Sequence, residues 1–266
     1  MSLDPVQKYL MRANGKLTEF QSTDLTILSK ESELAKKLLI ELELAALAGD
    51  SFAATVCAAI LRTNHPEPTT QLLAAFEAAA QEGDSFANAM CAKIARSKNL
   101  DSKDKQRAFE FAKYAAQSNF PPGIAELGYC YEDGRGTEKN LDLALTYLKQ
   151  SAQLGYAVAA CHLAIQYAVG QPYGSDSEKA IEYAMMAFNL GEAYAAYLLG
   201  TWYEEGVLIA KNMLLARDWY DKSARQGSGL GCIRMAAAYT LGELDLKRDL
   251  NKASEYHQLI NDMSSA

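Results

Sequence analysis

The sequence has no run of apolar residues long enough to cross a membrane and no segment rich in lysine or arginine. The first absence predicts a chain without a membrane span, which needs about 20 apolar residues. The second, together with a net charge of −7, argues against binding to nucleic acid or to an anionic membrane surface. The start of the chain also lacks a basic segment followed by an apolar one, so the expected location is the cytoplasm. A periplasmic or secreted form without its signal peptide would have the same sequence.

Cysteine and histidine are too few and too scattered to form a disulfide framework or a metal site. The five cysteines are an odd number without a CxxC pair, and no histidine has a second ligand at metal-binding spacing. We therefore predict reduced core thiols and no bound metal. These residues are Cys57, Cys91, Cys130, Cys161, Cys232, His65, His162 and His257.

Catalytic and cofactor-binding motifs are missing as well. The sequence contains neither GxSxG nor GxxxxGK[ST], and no cysteine has a histidine with an orienting carboxylate nearby. Gly134-Arg-Gly136 resembles a phosphate-binding loop only superficially, because a turn between two helices explains both glycines. We expect no catalysis and no cofactor.

What the sequence does contain is a repeat. The residues Leu127, Gly128, Tyr131 and Gly134 lie on one helical face and at its end. Weaker copies return at intervals of 36 residues, starting at positions 163, 199 and 235. A fixed period in this range is typical of repeat proteins built from helix pairs.

A second series of residues with the same period marks the helix ends. Glycine stands at positions 49, 83, 155, 191 and 227, and Asn119, which also tolerates the left-handed conformation, fills the gap. We predict first helices near 51–62, 85–97, 122–133, 157–169, 193–205 and 229–241, and second helices near 69–82, 104–118, 140–154, 176–190, 212–226 and 249–262. The predicted organisation is a helical cap and irregular segment at 1–30, one solenoid of about six repeats at 31–262, and a tail at 263–266.

These residues resemble the Sel-1-like repeats, relatives of the tetratricopeptide repeats. The resemblance rests on Leu127-Gly128, Tyr131, Gly134-x-Gly136, Ala144 with Tyr147, and Ser151-Ala152-x-x-Gly155. It implies an all-α fold, a right-handed superhelix of antiparallel helix pairs, and an adaptor function. A cysteine-rich branch of this family is linked to β-lactam binding or hydrolysis and joins the helices of a unit by a disulfide. Here every cysteine falls in a first helix, so that pairing is missing.

Several packing expectations follow from the repeat. Gly128 and Gly200 should lie where two helices approach most closely. The tyrosines at one repeated position should form a buried ladder: Tyr131, Tyr167, Tyr203 and Tyr239. Trp219 should belong to the core, and Ser175 with Glu178 has the form of a capping box.

The remaining candidate site is the face of each first helix opposite Leu127 and Tyr131. In related tetratricopeptide proteins this face is the inner, peptide-binding wall. The wall includes Val158, Leu230 and Ile233, and from it we predict a groove for a peptide or protein formed by Arg62, Lys93, Arg96, Tyr129, Glu132, Tyr194, Tyr197, Thr201 and Glu204. The tyrosines are the expected apolar anchors, and the charges would orient the partner or be ordinary solvated groups. The alternatives are the β-lactam activity of the cysteine-rich branch and a purely structural spacer.

Overall fold

The computed structural model describes residues 77, 80, 81, 83, 85–97 and 102–265. The predicted cap at 1–30, the helix predicted at 51–62, Arg62, and all but residues 77, 80 and 81 of the helix predicted at 69–82 lie outside these residues. The division of the chain into a cap, a solenoid and a tail stays a prediction.

The described chain is all helical, as expected from its scarcity of alternating β-branched residues. Ten helices have both ends defined, and none of them is long and apolar enough to span a membrane. They are α1 Ser85–Ser97, α2 Ser102–Gln117, α3 Pro121–Asp133, α4 Leu141–Gln153, α5 Ala157–Val169, α6 Ser177–Asn189, α7 Ala193–Glu205, α8 Met213–Arg225, α9 Gly229–Leu241 and α10 Leu250–Ser265. The predicted helices in this part of the chain are confirmed to within a few residues.

The residues that close the second helices adopt the left-handed conformation that the sequence predicted. Gly155, Gly191 and Gly227 have φ between 92° and 98°, and Asn119 has φ 55°. The backbone N–H of the residue after each of these glycines donates to a carbonyl in the last helical turn. For example, the N–H of Tyr156 donates to the carbonyl of Ser151 at 3.1 Å. This bond is the mark of a Schellman motif, which ends a helix and turns the chain.

Each second helix of the regular repeats begins at an Asn or Asp that bonds in two directions. The side-chain oxygen of Asn140 accepts from the N–H of Leu143 at 3.0 Å, and its own N–H donates to the carbonyl of Tyr131 at 2.9 Å. Asp176, Asn212 and Asp249 repeat both bonds in their units. The capping residue of α6 is therefore Asp176, and the expected cap at Ser175 is wrong by one position.

The chain divides into two compact units. One contains the described residues up to Glu126 together with Arg135–Thr137, and the other contains Leu127–Gly134 and Glu138–Ser265. In the first unit α1 packs on α2. In the second, each first helix packs on its own second helix (α5 on α6, α7 on α8, α9 on α10), and each second helix packs on the next first helix. One helix pair cannot bury its apolar face alone, so this alternate stacking forms the continuous core of a solenoid.

The repeated tyrosines form pairs within repeats and not the predicted ladder. Tyr131 stacks on Tyr147 with 5.8 Å between ring centroids, and Tyr167 stacks on Tyr183 at the same distance. The pair in the last repeat, Tyr239 with Tyr256, lies 5.9 Å apart. In these three repeats the ring from the first helix is thus covered by a ring from the second helix, which joins the two helices of one repeat.

Along the second unit, the residue at the closest approach of two helices alternates between glycine and alanine. Gly128 faces Leu148, and Gly200 faces Tyr220, so a large side chain lies against bare backbone in both cases. In the repeats between and after them, buried Ala164 and Ala236 stand at the glycine position. Buried serines, Ser151 and Ser223, occur only in the two glycine repeats, among the four of this unit. Every second repeat is therefore of the same kind.

Candidate functional site

A buried carboxylate joins the first helices of two consecutive repeats. Glu132, at the end of α3, lies 2.9 Å and 3.1 Å from Nε2 of His162 in α5 through its two oxygens. The hydroxyl of Tyr173 donates to the same carboxylate at 2.7 Å. The ring of Tyr129 packs edge-on against the imidazole, with centroids 4.9 Å apart. These four side chains form one polar cluster enclosed by aromatic rings.

A second cluster of the same design joins α7 and α9. Arg234 makes a two-pronged contact with Glu204, through Nη2 to one oxygen and through Nε to the other at 3.1 Å. Its remaining Nη1 donates to Glu243 at 2.7 Å. The hydroxyl of Tyr220 donates to Glu204 at 2.7 Å and lies 3.3 Å from the hydroxyl of Thr201. A planar guanidinium held by two carboxylates fixes the geometry of this cluster.

The two clusters occupy the same positions of the repeat and are two repeats apart. Glu204 corresponds to Glu132, and Arg234 corresponds to His162; in each pair the partners are 30 residues apart in sequence. We call the pairs Glu132–His162 and Glu204–Arg234 the two clasps. Each ties a first helix to the next one, so the clasps hold neighbouring repeats together.

Hydrogen bonding outweighs burial in setting the charge of both carboxylates. Burial alone raises the pKa of Glu132, but the bonds from His162 and Tyr173 bring its pKa below the ordinary value. Burial likewise opposes ionisation of Glu204, and the bonds and charge of Arg234 lower its pKa in spite of it. Both carboxylates are therefore ionised at neutral pH, because hydrogen bonds donated to the charged form favour it.

Tyr129 and Glu132, both predicted as exposed members of the groove, are buried. Only 5% of Tyr129 and 8% of Glu132 is exposed, because the next repeat covers both through His162. Glu204 is partly exposed and is bound to Arg234. Neither carboxylate is free in this structure, since each is bound to a basic side chain of the following repeat.

The basic members of the predicted groove belong to the other unit. Lys93 is half-buried in α1, and the backbone of Arg96 lies in the same helix. Arg62 lies outside the described residues. Their role towards a partner remains a prediction.

The other predicted members lie on an apolar surface of the second unit. Tyr194 is 37% exposed and stacks on half-buried Tyr197, with centroids 5.9 Å apart. Thr201 is half-buried one turn further along α7. Large apolar side chains at the equivalent positions of α5 and α9 are also exposed: Val158, Leu230 and Ile233.

We call Val158, Tyr194, Tyr197, Leu230 and Ile233 the first-helix stripe. All five lie on the wall predicted from the sequence, but only Tyr194 and Tyr197 were predicted as site residues, because aromatic and charged side chains are the usual binding anchors. His162 and Arg234 were also missed. In the sequence, each of these basic residues follows its glutamate by 30 residues, at the same position of the next repeat. That distance is too long to be recognised as a local ligand pair.

The described cysteines offer no disulfide for the β-lactam alternative. Cys91, Cys130, Cys161 and Cys232 are buried free thiols. Burial raises the pKa of Cys91 and of Cys161 to about 12, so neither is a thiolate at neutral pH. The described residues also contain no group of three or more histidine, cysteine or acidic side chains that could hold a metal ion.

Comparison with known proteins places this architecture. The Sel1 repeat model matches residues 99–120, 121–156, 157–192, 193–228 and 229–263. No curated protein matches the chain. The boundaries of the last four matches follow the helix pairs α3–α4, α5–α6, α7–α8 and α9–α10.

Solved structures of Sel1 repeat proteins have the same fold. A Sel1 repeat protein from Oxalobacter formigenes is 19% identical with a TM-score of 0.64, over 96% of this chain and 98% of that one. The immunity protein Pa5087 from Pseudomonas aeruginosa is 21% identical with a TM-score of 0.59, over 81% of this chain and 82% of that one. The protective antigen c5321 of uropathogenic Escherichia coli is 22% identical with a TM-score of 0.58, over 84% of this chain. The chain covers 48% of c5321, about half of its length. With five consecutive repeats matched over more than half of its sequence, this all-α solenoid belongs to the Sel1 repeat family.

Proposed function

We propose that the chain is an interaction scaffold that binds a protein partner along the first-helix stripe and has no catalytic activity of its own. Sel1 repeat proteins are generally interaction scaffolds. The observation that carries the proposal is the exposure of four large apolar side chains at two repeated positions on three consecutive first helices. They are Val158, Tyr194, Leu230 and Ile233, between 37% and 55% exposed.

Their regular arrangement distinguishes these side chains from scattered surface residues. Single exposed apolar groups are normal on any protein, but a contiguous apolar surface marks an interaction site. Tyr194 and Tyr197 also supply two stacked aromatic rings, the kind of side chain that dominates binding energy in protein interfaces. Burying this surface under a partner would remove it from water, with a gain of roughly 25 cal/mol for each Å² of apolar area.

The basic side chains of the predicted groove form a separate part of the proposal. We expect acidic groups of a partner to face Arg62, Lys93 and Arg96. Such contacts would speed association and fix orientation more than they add affinity. The acidic residues Glu132 and Glu204 are left out, because both are bound within the clasps.

The test begins with a partner and ends with purified components. The full chain is used as bait, the co-purifying proteins are identified, and each is produced and titrated calorimetrically against the bait. We expect Ile233→Ser and Tyr194→Ser to weaken binding about tenfold or more if these residues are anchors. Leu214→Ser is the matched control, because Leu214 is equally exposed but lies on α8. A partner that binds all three variants like the wild type would show that the stripe is not the site.

The β-lactam alternative has a test of its own. A chromogenic β-lactam incubated with the full chain should be hydrolysed no faster than with buffer. Hydrolysis that depends on a cysteine of the chain would overturn the non-catalytic part of the proposal.

A further inference from the structure

We infer that the first-helix stripe receives the uncharged, apolar face of an α-helix of the partner and not an extended segment. The inference rests on the proposed function and names the kind of partner that fits the surface. It follows from the hydrogen-bonding groups and charges that the stripe and its surroundings leave unused.

The polar side chains around the stripe are already occupied. The hydroxyl of Thr201 donates to the carbonyl of Tyr197 at 3.0 Å, and that of Thr240 donates to the carbonyl of Ala236 at 2.8 Å. His162 and Arg234 are held by the carboxylates of the two clasps. The helices that carry the stripe bond their own backbone internally. The stripe itself adds only the hydroxyls of Tyr194 and Tyr197, so few donors and acceptors remain for a partner.

An extended segment needs such groups, and a helix does not. Each residue of an extended chain presents one N–H and one C=O, and each of these left buried without a bond loses its hydration without compensation. A helix satisfies these groups within itself and offers a surface of side chains alone. An amphipathic helix laid on an apolar surface is a common mode of recognition. The shortage of free polar groups on the stripe thus favours a helix.

Charge points to the same kind of partner surface. The helix α5 has one ionisable group besides its cysteine and tyrosine, namely His162, and α9 has only Arg234 of this kind. In α7 the carboxylates Glu204 and Glu205 stand at the last two positions, away from Tyr194, and the capping carboxylate of Glu192 already accepts from the backbone N–H of Tyr194 at 3.2 Å. Between these two ends of α7, a charged residue of the partner placed on the stripe would lose water without gaining an opposite charge. The contacting face of the partner helix is therefore uncharged.

The spacing of the stripe suits helical anchors. Tyr194 and Leu230 occupy equivalent positions on α7 and α9, two first helices in contact with each other. Packed helices lie about 8–10 Å apart. Two turns of a partner helix advance about 11 Å. Apolar partner residues seven positions apart can thus meet Tyr194 and Leu230, and intervening ones can meet Tyr197 and Ile233.

The experiment uses two display libraries as probes against the full chain. One presents a stable single helix with one face randomised, and the other presents a peptide of equal length, held extended by regularly placed prolines, with the same number of randomised positions. Selected binders are titrated against wild type, Ile233→Ser, Leu230→Ser and the control Leu214→Ser. Each helical binder is also made with a central proline, which disrupts the helix.

The expected result is a set of helical binders with an uncharged apolar face. Their affinity should fall about tenfold or more in the two stripe variants and with the central proline, and not in the control. It should change little between about 0.05 and about 0.5 M salt, because screening acts on charges. Binders that come from the extended library and depend on Ile233 would overturn the helix inference and leave the proposed function standing. If neither library gives a binder that depends on the stripe, both the inference and the proposed binding surface fail.

Discussion

The ring of Tyr220 lies so close to Gly200 that a methyl group on this glycine would come within 2.7 Å of two ring carbons. Tyr220 is 2% exposed and is one of the largest fully buried side chains of the described chain. Its hydroxyl reaches Glu204, so the same side chain fills the seam between α7 and α8 and supports a clasp. The packing of this repeat and its polar contacts therefore depend on one missing methyl group.

Gly200→Ala should destabilise the protein by roughly 1–3 kcal/mol, since the added methyl overpacks a rigid ring. Urea unfolding followed by circular dichroism measures the change. Gly229→Ala is the matched control, because it lies in a helix with no atom near the added methyl, and alanine there should be neutral or slightly stabilising. Equal unfolding midpoints for Gly200→Ala and wild type would show that the ring can move away at no cost.

Gly200→Ala and Tyr220→Ala should be less harmful together than the sum of their separate effects. The double variant recreates the pair found one repeat earlier, where buried Ala164 and Ala184 stand at the same two positions. Residues in contact couple in this way, and a double-mutant cycle measures the coupling. Strict additivity would mean that the two positions do not share the seam.

Glu204→Gln should reduce stability at neutral pH and make the protein less sensitive to acid. The pKa of Glu204 lies below the ordinary value of 4.5, so near that pH the unfolded chain binds more protons than the folded one. The stability from this carboxylate is thus complete above about pH 4.5 and is lost as the pH falls through the folded pKa. Thermal unfolding from pH 7 downwards tests this. Glu205→Gln, an exposed neighbour, should follow the wild-type curve.

Gly136→Ala should be among the most damaging single changes in the turns. Gly136 has φ 65°, and a methyl group on it would lie 2.3 Å from the backbone carbonyl oxygen of Lys105. The left-handed conformation costs a non-glycine residue about 1–2 kcal/mol, and the collision with rigid backbone adds to this. Gly174→Ala is the control, because Gly174 has φ 83° but open space around it. The difference in unfolding free energy between the two variants isolates the collision, and equal losses would rule it out.

The thiols of the native protein should react slowly with a disulfide reagent. Cys161 is buried and its pKa is about 12, so attack requires local opening of the fold. In denaturant without reductant, all five cysteines of the sequence should titrate as free thiols. A count below five would reveal a disulfide and contradict the reduced state. Rapid labelling of Cys161 in the native protein would show that the region beneath Tyr194 opens readily.

The helices were predictable because their signals are local. Gly155, Gly191 and Gly227 close the second helices because their positive φ favours glycine. Their spacing of 36 residues shows the repeat period in the sequence of the second unit. The same series placed Asn119 correctly, although asparagine is a weaker signal than glycine. A fixed period, with a residue at each helix end that the backbone conformation requires, is enough to predict where the helices begin and end.

Contacts between repeats were less predictable. A projection of α3 alone puts Tyr129 on an outer face, but His162 of the following repeat covers it. The expected core residue Trp219 is half-buried, whereas its neighbour Tyr220 is buried because Gly200 makes room for it. Such outcomes depend on which side chains two repeats present to each other, and the consensus of a single repeat does not contain that information.

The alternation of the repeats also determines how the array can gain or lose length. Removing residues 157–192 would bring Leu198 to the place of His162 and leave the carboxylate of Glu132 buried without a partner, a costly state. Removing residues 157–228 would instead bring Arg234 to that place and restore a clasp. We therefore expect this chain to gain or lose repeats in pairs, because a change of one repeat leaves a buried carboxylate unpaired and a change of two repeats does not.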